Sequence, residues 1–159
     1  VRVACHEDDA VVLRGDKPAA SPMKRGASAF YKEWLSDIED SRPAFSEVDE
    51  TFREGPWKSG FRVYAVPGHT EGSVILHHEP TRTLFTGDSI VATRSLLNRA
   101  VRLRLVDADY CVEPQGARRS VLKFLENLPP TDILCCGHGP AIDEGAGQKL
   151  RKLLSTESG

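Results

Sequence analysis

The chain has 159 residues, 40% of them hydrophobic and 28% charged, with a formal net charge of -2. That length suits one domain able to hide roughly 70% of its unfolded surface, and the near-neutral balance, with no basic stripe, argues against a nucleic-acid partner. No apolar run approaches the roughly 20 residues that a bilayer span requires, so a soluble protein without a membrane partner is expected.

Val1 to Cys5 reads as a strand already under way, followed by His6-Glu7-Asp8-Asp9, taken as an acidic loop closing that strand rather than as a ligand cluster. Arg14 to Lys24, rich in glycine, proline, serine and charge, reads as a surface loop. Ser28 to Ile38 has a helical pattern: Ser28 can cap it, and Phe30, Trp34 and Ile38 recur every four residues beside Tyr31 and Leu35. This helix is expected to lay its aromatic face on a sheet. Phe45 to Gly60, punctuated by Gly55, Pro56 and Gly60, suggests short strands and turns.

Phe61 to Val66 alternates as a strand does, and Pro67, which has no N–H to donate, should end its pairing. Val74 to His78 and Thr83 to Thr86 are further strands joined by a turn at Glu79-Pro80-Thr81-Arg82. His77 and His78 point to opposite faces of their strand and so do not form one ligand pair. Ile90 to Asp109 has no clear period. Its arginines, Arg94, Arg99, Arg102 and Arg104, fit a solvated face better than an anion site. Pro114 to Leu128 is an amphipathic helix with Ala117, Val121, Phe124 and Leu128 on one face, stopped by Pro129-Pro130. Ile133 to Cys136 is a strand, Gly145 to Leu154 a last helix, and Ser155 to Gly159 a frayed end. Cys5, Cys111, Cys135 and Cys136 lack CxxC spacing, which argues against a disulfide framework or a cysteine zinc site and favours a reducing compartment.

Three of these strands stop at a glycine that is followed by a side chain able to bind a metal: Gly68 then His69, Gly87 then Asp88, Gly137 then His138. Glycine at a strand end permits positive φ and close backbone approach, leaving the next side chain aimed into a cleft. Two histidines and one aspartate are ligands of the kind zinc takes. Their wide spacing in sequence is no obstacle, because strand ends converge at one edge of a sheet.

PGHTEGS (Pro67 to Ser73), FTGDS (Phe85 to Ser89) and CGHGP (Cys136 to Pro140) resemble, in order, the three later metal motifs of the metallo-β-lactamase superfamily. The resemblance implies an α/β (α+β) fold of the αββα sandwich type, here partial, with one mixed sheet and flanking helices. It implies that His69 is a ligand of a first metal, Asp88 a bridging ligand and His138 a ligand of a second. Zinc is the expected metal, two ions per complete domain, and iron is the alternative. The family's leading motif, HxHxDH, does not occur in the chain. Residues 1–159 are therefore expected to be a single incomplete domain lacking its amino-terminal part, with an exposed sheet face available for self-association.

The implied activity is hydrolysis of a small-molecule substrate by metal-bound hydroxide in the complete domain, with this chain inactive alone. The alternative is a noncatalytic binding module that keeps the fold. No GCGR-like stretch follows Asp88, which lowers the thioesterase reading.

Overall fold

The computed structural model describes residues 2–17, 47–94 and 100–157. Within them, β1 (Ala4–His6) runs into α1 (Glu7–Leu13), and β2 (Glu50–Phe52) and β3 (Gly55–Pro56) lead to β4 (Phe61–Ala65). Next come β5 (Val74–His78), β6 (Thr83–Gly87), β7 (Ile90–Arg94) and β8 (Val101–Leu105), followed by α2 (Pro114–Glu126), β9 (Ile133–Cys136) and α3 (Ala146–Glu157). The helix expected over Ser28 to Ile38 lies outside the described residues.

The alternating segments build a five-stranded sheet in the order β3-β4-β5-β6-β9. Its pairs are antiparallel except for β6 and β9, which run parallel, so the sheet is mixed. The parallel pair needs a crossover, and the helix α2 lies within it. Beside this sheet stand two short ladders, β1–β2 (parallel) and β7–β8 (antiparallel). The stretch after Asp88, whose period is weak in sequence, is thus a hairpin.

One face of the large sheet carries Ile75, Leu84 and Leu134, each 0% exposed. Against it pack Val121, Phe124 and Leu125 of α2 and Leu150 and Leu153 of α3. The expected apolar stripe of α2 is therefore its buried face. On the other face Phe61 touches Trp57 (ring centroids 6.2 Å apart) and Phe85 (6.1 Å). Phe85 remains 38% exposed.

Three local expectations are corrected. The acidic run after His6 is the first turn of α1 rather than a loop, with His6 as its N-cap accepting from the Asp8 N–H. Carboxylates at a helix N-terminus meet the positive end of its dipole, which favours the helix over an open loop. The strand before it spans Ala4–His6, with Arg2 and Val3 outside it. The last helix continues to Glu157, where Arg118 of α2 pairs with the Glu157 carboxylate and holds the end that was expected to fray.

His77 and His78 do point apart. His77 is 4% exposed and donates from Nε2 to the Pro130 carbonyl at 3.1 Å, whereas His78 Nδ1 meets the Thr81 hydroxyl at 2.6 Å. At the far end of β6, Arg82 adopts the left-handed conformation (φ 51°). Its guanidinium clasps Asp132 just before β9, and this hydrogen bond holds the Asp132 carboxyl below its ordinary pKa.

Leu134 sits where the sheet and both helices meet. Leu134→Ala is expected to cost about 2–5 kcal/mol, read as a lower urea midpoint with an unchanged denaturant slope.

Candidate metal centre

The three strand-end motifs meet at one edge of the sheet. Parallel pairing of β6 with β9 shifts register between Phe85 and Gly87, so that Gly87 lies opposite Cys136. The Gly137 N–H then donates to the Gly87 carbonyl at 2.7 Å. A Cβ at Gly137 would overlap the Asp88 carboxylate, so the glycine makes room for the acid that follows β6. His138 comes next in the chain, and its carbonyl accepts from the Ala92 N–H at 3.0 Å, tying this loop to β7.

His69 stands on the loop after β4, and three groups of contacts fix that loop. Gly68 has φ 135°, and a Cβ there would overlap the backbone of Ala117 in α2. The Gly68 and His69 carbonyls accept from the N–H groups of Glu113 (2.9 Å) and Val112 (3.2 Å). From α1, Asp9 accepts from the Gly72 N–H at 2.8 Å and from the Thr70 hydroxyl at 2.9 Å. Asp9, which the sequence alone places in an acidic loop, is instead the link that joins the amino-terminal helix to the His69 loop.

The His69 ring is oriented by a further bond. Its Nδ1 lies 2.6 Å from the Tyr110 carbonyl oxygen, and a carbonyl only accepts, so Nδ1 carries the proton. The other ring nitrogen, Nε2, faces Asp88, 3.7 Å from Oδ2. His138 Nε2 lies 3.4 Å from the other carboxylate oxygen, Oδ1. Two imidazoles thus address the two separate oxygens of one carboxylate.

These separations exceed the 2.7–3.2 Å typical of a hydrogen bond. They are near the roughly 3.4 Å that separates two ligands on a tetrahedral zinc with bonds of about 2.0–2.2 Å. The donors therefore suit a metal in kind and in pairwise spacing. In number they fall short: among the described residues no group of three or more His, Cys, Asp and Glu side chains converges on one point. His69 and Asp88 form one pair and Asp88 and His138 another, while a catalytic zinc usually takes three protein ligands.

The site opens into a cavity of about 400 Å³ lined by His69, Asp88 and His138, and by Val91, Arg104 and Tyr110 among others. His138 is 74% exposed, against 39% for Asp88 and 23% for His69, so His69 is the most sheltered of the three. The four cysteines take no part in this cavity and are free thiols. Burial pushes the Cys5, Cys111 and Cys136 thiols above their ordinary pKa.

Fold and site together define an α/β protein with a cleft at a sheet edge, where two histidines face one aspartate. The metallo-β-lactamase superfamily model matches residues 1–138, and the chain belongs to that superfamily. Probable metallo-hydrolase YybB of Bacillus subtilis (strain 168) is 28% identical over 81 residues, 51% of this chain and 33% of that protein. The metallo-β-lactamase family protein TTHA1429 of Thermus thermophilus superposes with a TM-score of 0.57 at 19% identity, over 99% of this chain and 53% of that one. TTHA1623, solved in a di-iron-bound form, gives a TM-score of 0.55 at 22% identity, over 94% and 63% of the two chains. The B3 metallo-β-lactamase BLEG-1 gives 0.57 at 20% identity, over 100% and 66%. The likeness to these structures is one of fold. The chain spans about a third of the curated relative and about half of the first structure.

Asp9→Ala removes the acceptor of the Gly72 N–H, and amide hydrogen exchange at Gly72 is expected to quicken by about tenfold or more, in keeping with a lost hydrogen bond to a charged group. Asp9→Asn keeps an acceptor and a donor there and should retain most of the protection.

Proposed function

We propose that the chain contributes His69, Asp88 and His138 to the metal site of a metal-dependent hydrolase acting on a small molecule. The observation that carries this reading is the pair of imidazoles set against opposite oxygens of Asp88 in a member of the metallo-β-lactamase superfamily. His69 Nε2 and the Asp88 carboxylate face one another across a gap of 3.7 Å that a cation would fit. Zinc fits these donors, and iron is the alternative, supported by the di-iron form of TTHA1623.

A metal held there supplies Lewis acidity and activation of water at neutral pH. The residues of this chain have their own parts. Tyr110, through its carbonyl, fixes the His69 tautomer, and such outer partners orient metal ligands. Asp88 shares its two oxygens between two positions. Val91 and Val106 give the cavity apolar walls. Hydrolysis would add water across an acyl or phosphoryl bond, giving an acid and the leaving group in its protonated form.

Each donor pair holds two ligands of the three a catalytic zinc usually takes, and HxHxDH is absent from the sequence. The reading therefore assigns this chain part of a ligand set and little activity by itself. That same shortfall favours the second reading, a noncatalytic binding module that keeps the fold. Restoration of metal uptake and hydrolysis when residues bearing an HxHxDH motif are joined to the chain supports the enzyme.

After zinc loading and dialysis, the chain is expected to retain well under one equivalent, and Asp88→Asn less still, measured by atomic absorption. Stoichiometric zinc with submicromolar affinity, dependent on His69, Asp88 and His138, would contradict the partial ligand set.

A further inference from the structure

The two donor pairs differ in how far another molecule can reach them. His69 is 23% exposed on the anchored loop after β4, whereas His138 is 74% exposed, with Asp88 between them at 39%. The Asp88–His138 pair is therefore the open one. Its surroundings are small. In the run Gly137, His138, Gly139, Pro140 and Ala141, His138 is the one long side chain, and every residue but Pro140 is exposed. Gly139 has φ 93°, and a Cβ there would overlap the Ala92 carbonyl, so the turn is drawn in against β7. Two residues before Gly87, Phe85 is 38% exposed and pairs with Cys135 in the ladder. The surface beside this edge is thus apolar as well as low.

A closed zinc site takes four protein ligands in a tetrahedron, and one Asp88–His138 pair supplies two. The pair is separated by 3.4 Å, close to the spacing of adjacent ligands on such an ion when bonds are about 2.0–2.2 Å. The two positions left over match the same pair a second time. Charge agrees with this count. Two carboxylates balance one dication, and two imidazoles serve as its nitrogen ligands. Without the ion the same approach would set two carboxylates against one another, so contact through this edge depends on metal.

We propose that a second copy of this chain docks at this edge and that one zinc ion is shared between the Asp88–His138 pairs of the two copies. A two-fold contact requires a patch that complements itself, and here the shared ion supplies the complement while the small 137–141 turn lets the copies approach. That zinc engages Asp88 and His138 rests on the donor assignment made under the proposed function. The second copy as the source of the remaining ligands is the added step. His69, sheltered inside the cavity, stays out of this contact.

The test is sedimentation velocity of the chain in excess zinc and in EDTA, with native mass spectrometry counting ions in each species. A monomer is expected in EDTA, and in zinc a dimer that carries one ion per two chains. His138→Ala and Asp88→Asn should each lose the zinc-dependent dimer, while His78→Ala, at the opposite edge of the sheet, should keep it. Joining residues that bear an HxHxDH motif supplies ligands from within, so that zinc-loaded protein should be monomeric. A dimer that forms equally in EDTA, survives His138→Ala or persists with zinc in the joined protein would overturn the proposal. A chain that stays monomeric while binding zinc through Asp88 would overturn it too, yet leave the donor assignment standing. Zinc uptake untouched by Asp88→Asn would sink the donor assignment and the shared site together.

Discussion

The hydrogen bond from the Gly137 N–H to the Gly87 carbonyl, 2.7 Å long, is the constraint on which the site depends. It forms where parallel pairing of β6 and β9 slips register, and it brings two strand ends, far apart in sequence, into backbone contact. Asp88 leaves one of those ends and His138 the other. Without a side chain at 137, the carboxylate can lie against the β9 exit and turn one oxygen to each imidazole. A parallel pair places both C-terminal ends at the same edge of the sheet, so the topology supplies the convergence and the glycine supplies the clearance.

His69 reaches the same point by another route. Its loop is held from the segment just before α2 through the Gly68 and His69 carbonyls, from the 108–110 turn through the Tyr110 carbonyl, and from α1 through Asp9. These anchors leave the ring one tautomer with its free nitrogen toward Asp88. Rigidity of this kind bears on function, because a site that must present lone pairs at a fixed separation loses its purpose if the loop swings. The hairpin β7–β8 completes the cleft, pinned to the His138 loop by the Ala92 N–H and to the end of β6 by the Val106 N–H on the Ser89 carbonyl.

Much of this was legible in the sequence, for identifiable reasons. The strands at 61–65, 74–78 and 83–87 alternate with a clear period, and both later helices carry a continuous apolar stripe, so burial dictates their form. The glycine-then-ligand pattern singled out His69, Asp88 and His138 as candidates, and two of its glycines, Gly68 and Gly137, stand where a Cβ would overlap Ala117 and Asp88. The N-terminal turn of α1 was harder to read, since an acidic run serves a loop and a helix start equally well until tertiary contacts decide. The hairpin after Asp88 was obscured because arginines alternate with core residues there, and the cavity-facing arginine cannot be told from its neighbours without the register. The Tyr110 carbonyl left no signal at all, because a backbone acceptor is independent of side-chain identity. Asp9 was visible as an acid but not as an anchor, since its partners lie more than sixty residues away.

The central claim is that His69, Asp88 and His138 are donors to metal ions at this edge of the sheet, although each pair is short of a full ligand set. Anomalous diffraction at the zinc edge from crystals soaked in zinc tests it most directly. The account predicts a peak bonded at about 2.0–2.2 Å to an Asp88 oxygen and to Nε2 of His69 or of His138. Zinc bound elsewhere, at Cys135 or His78 for example, with none at Asp88, would contradict it.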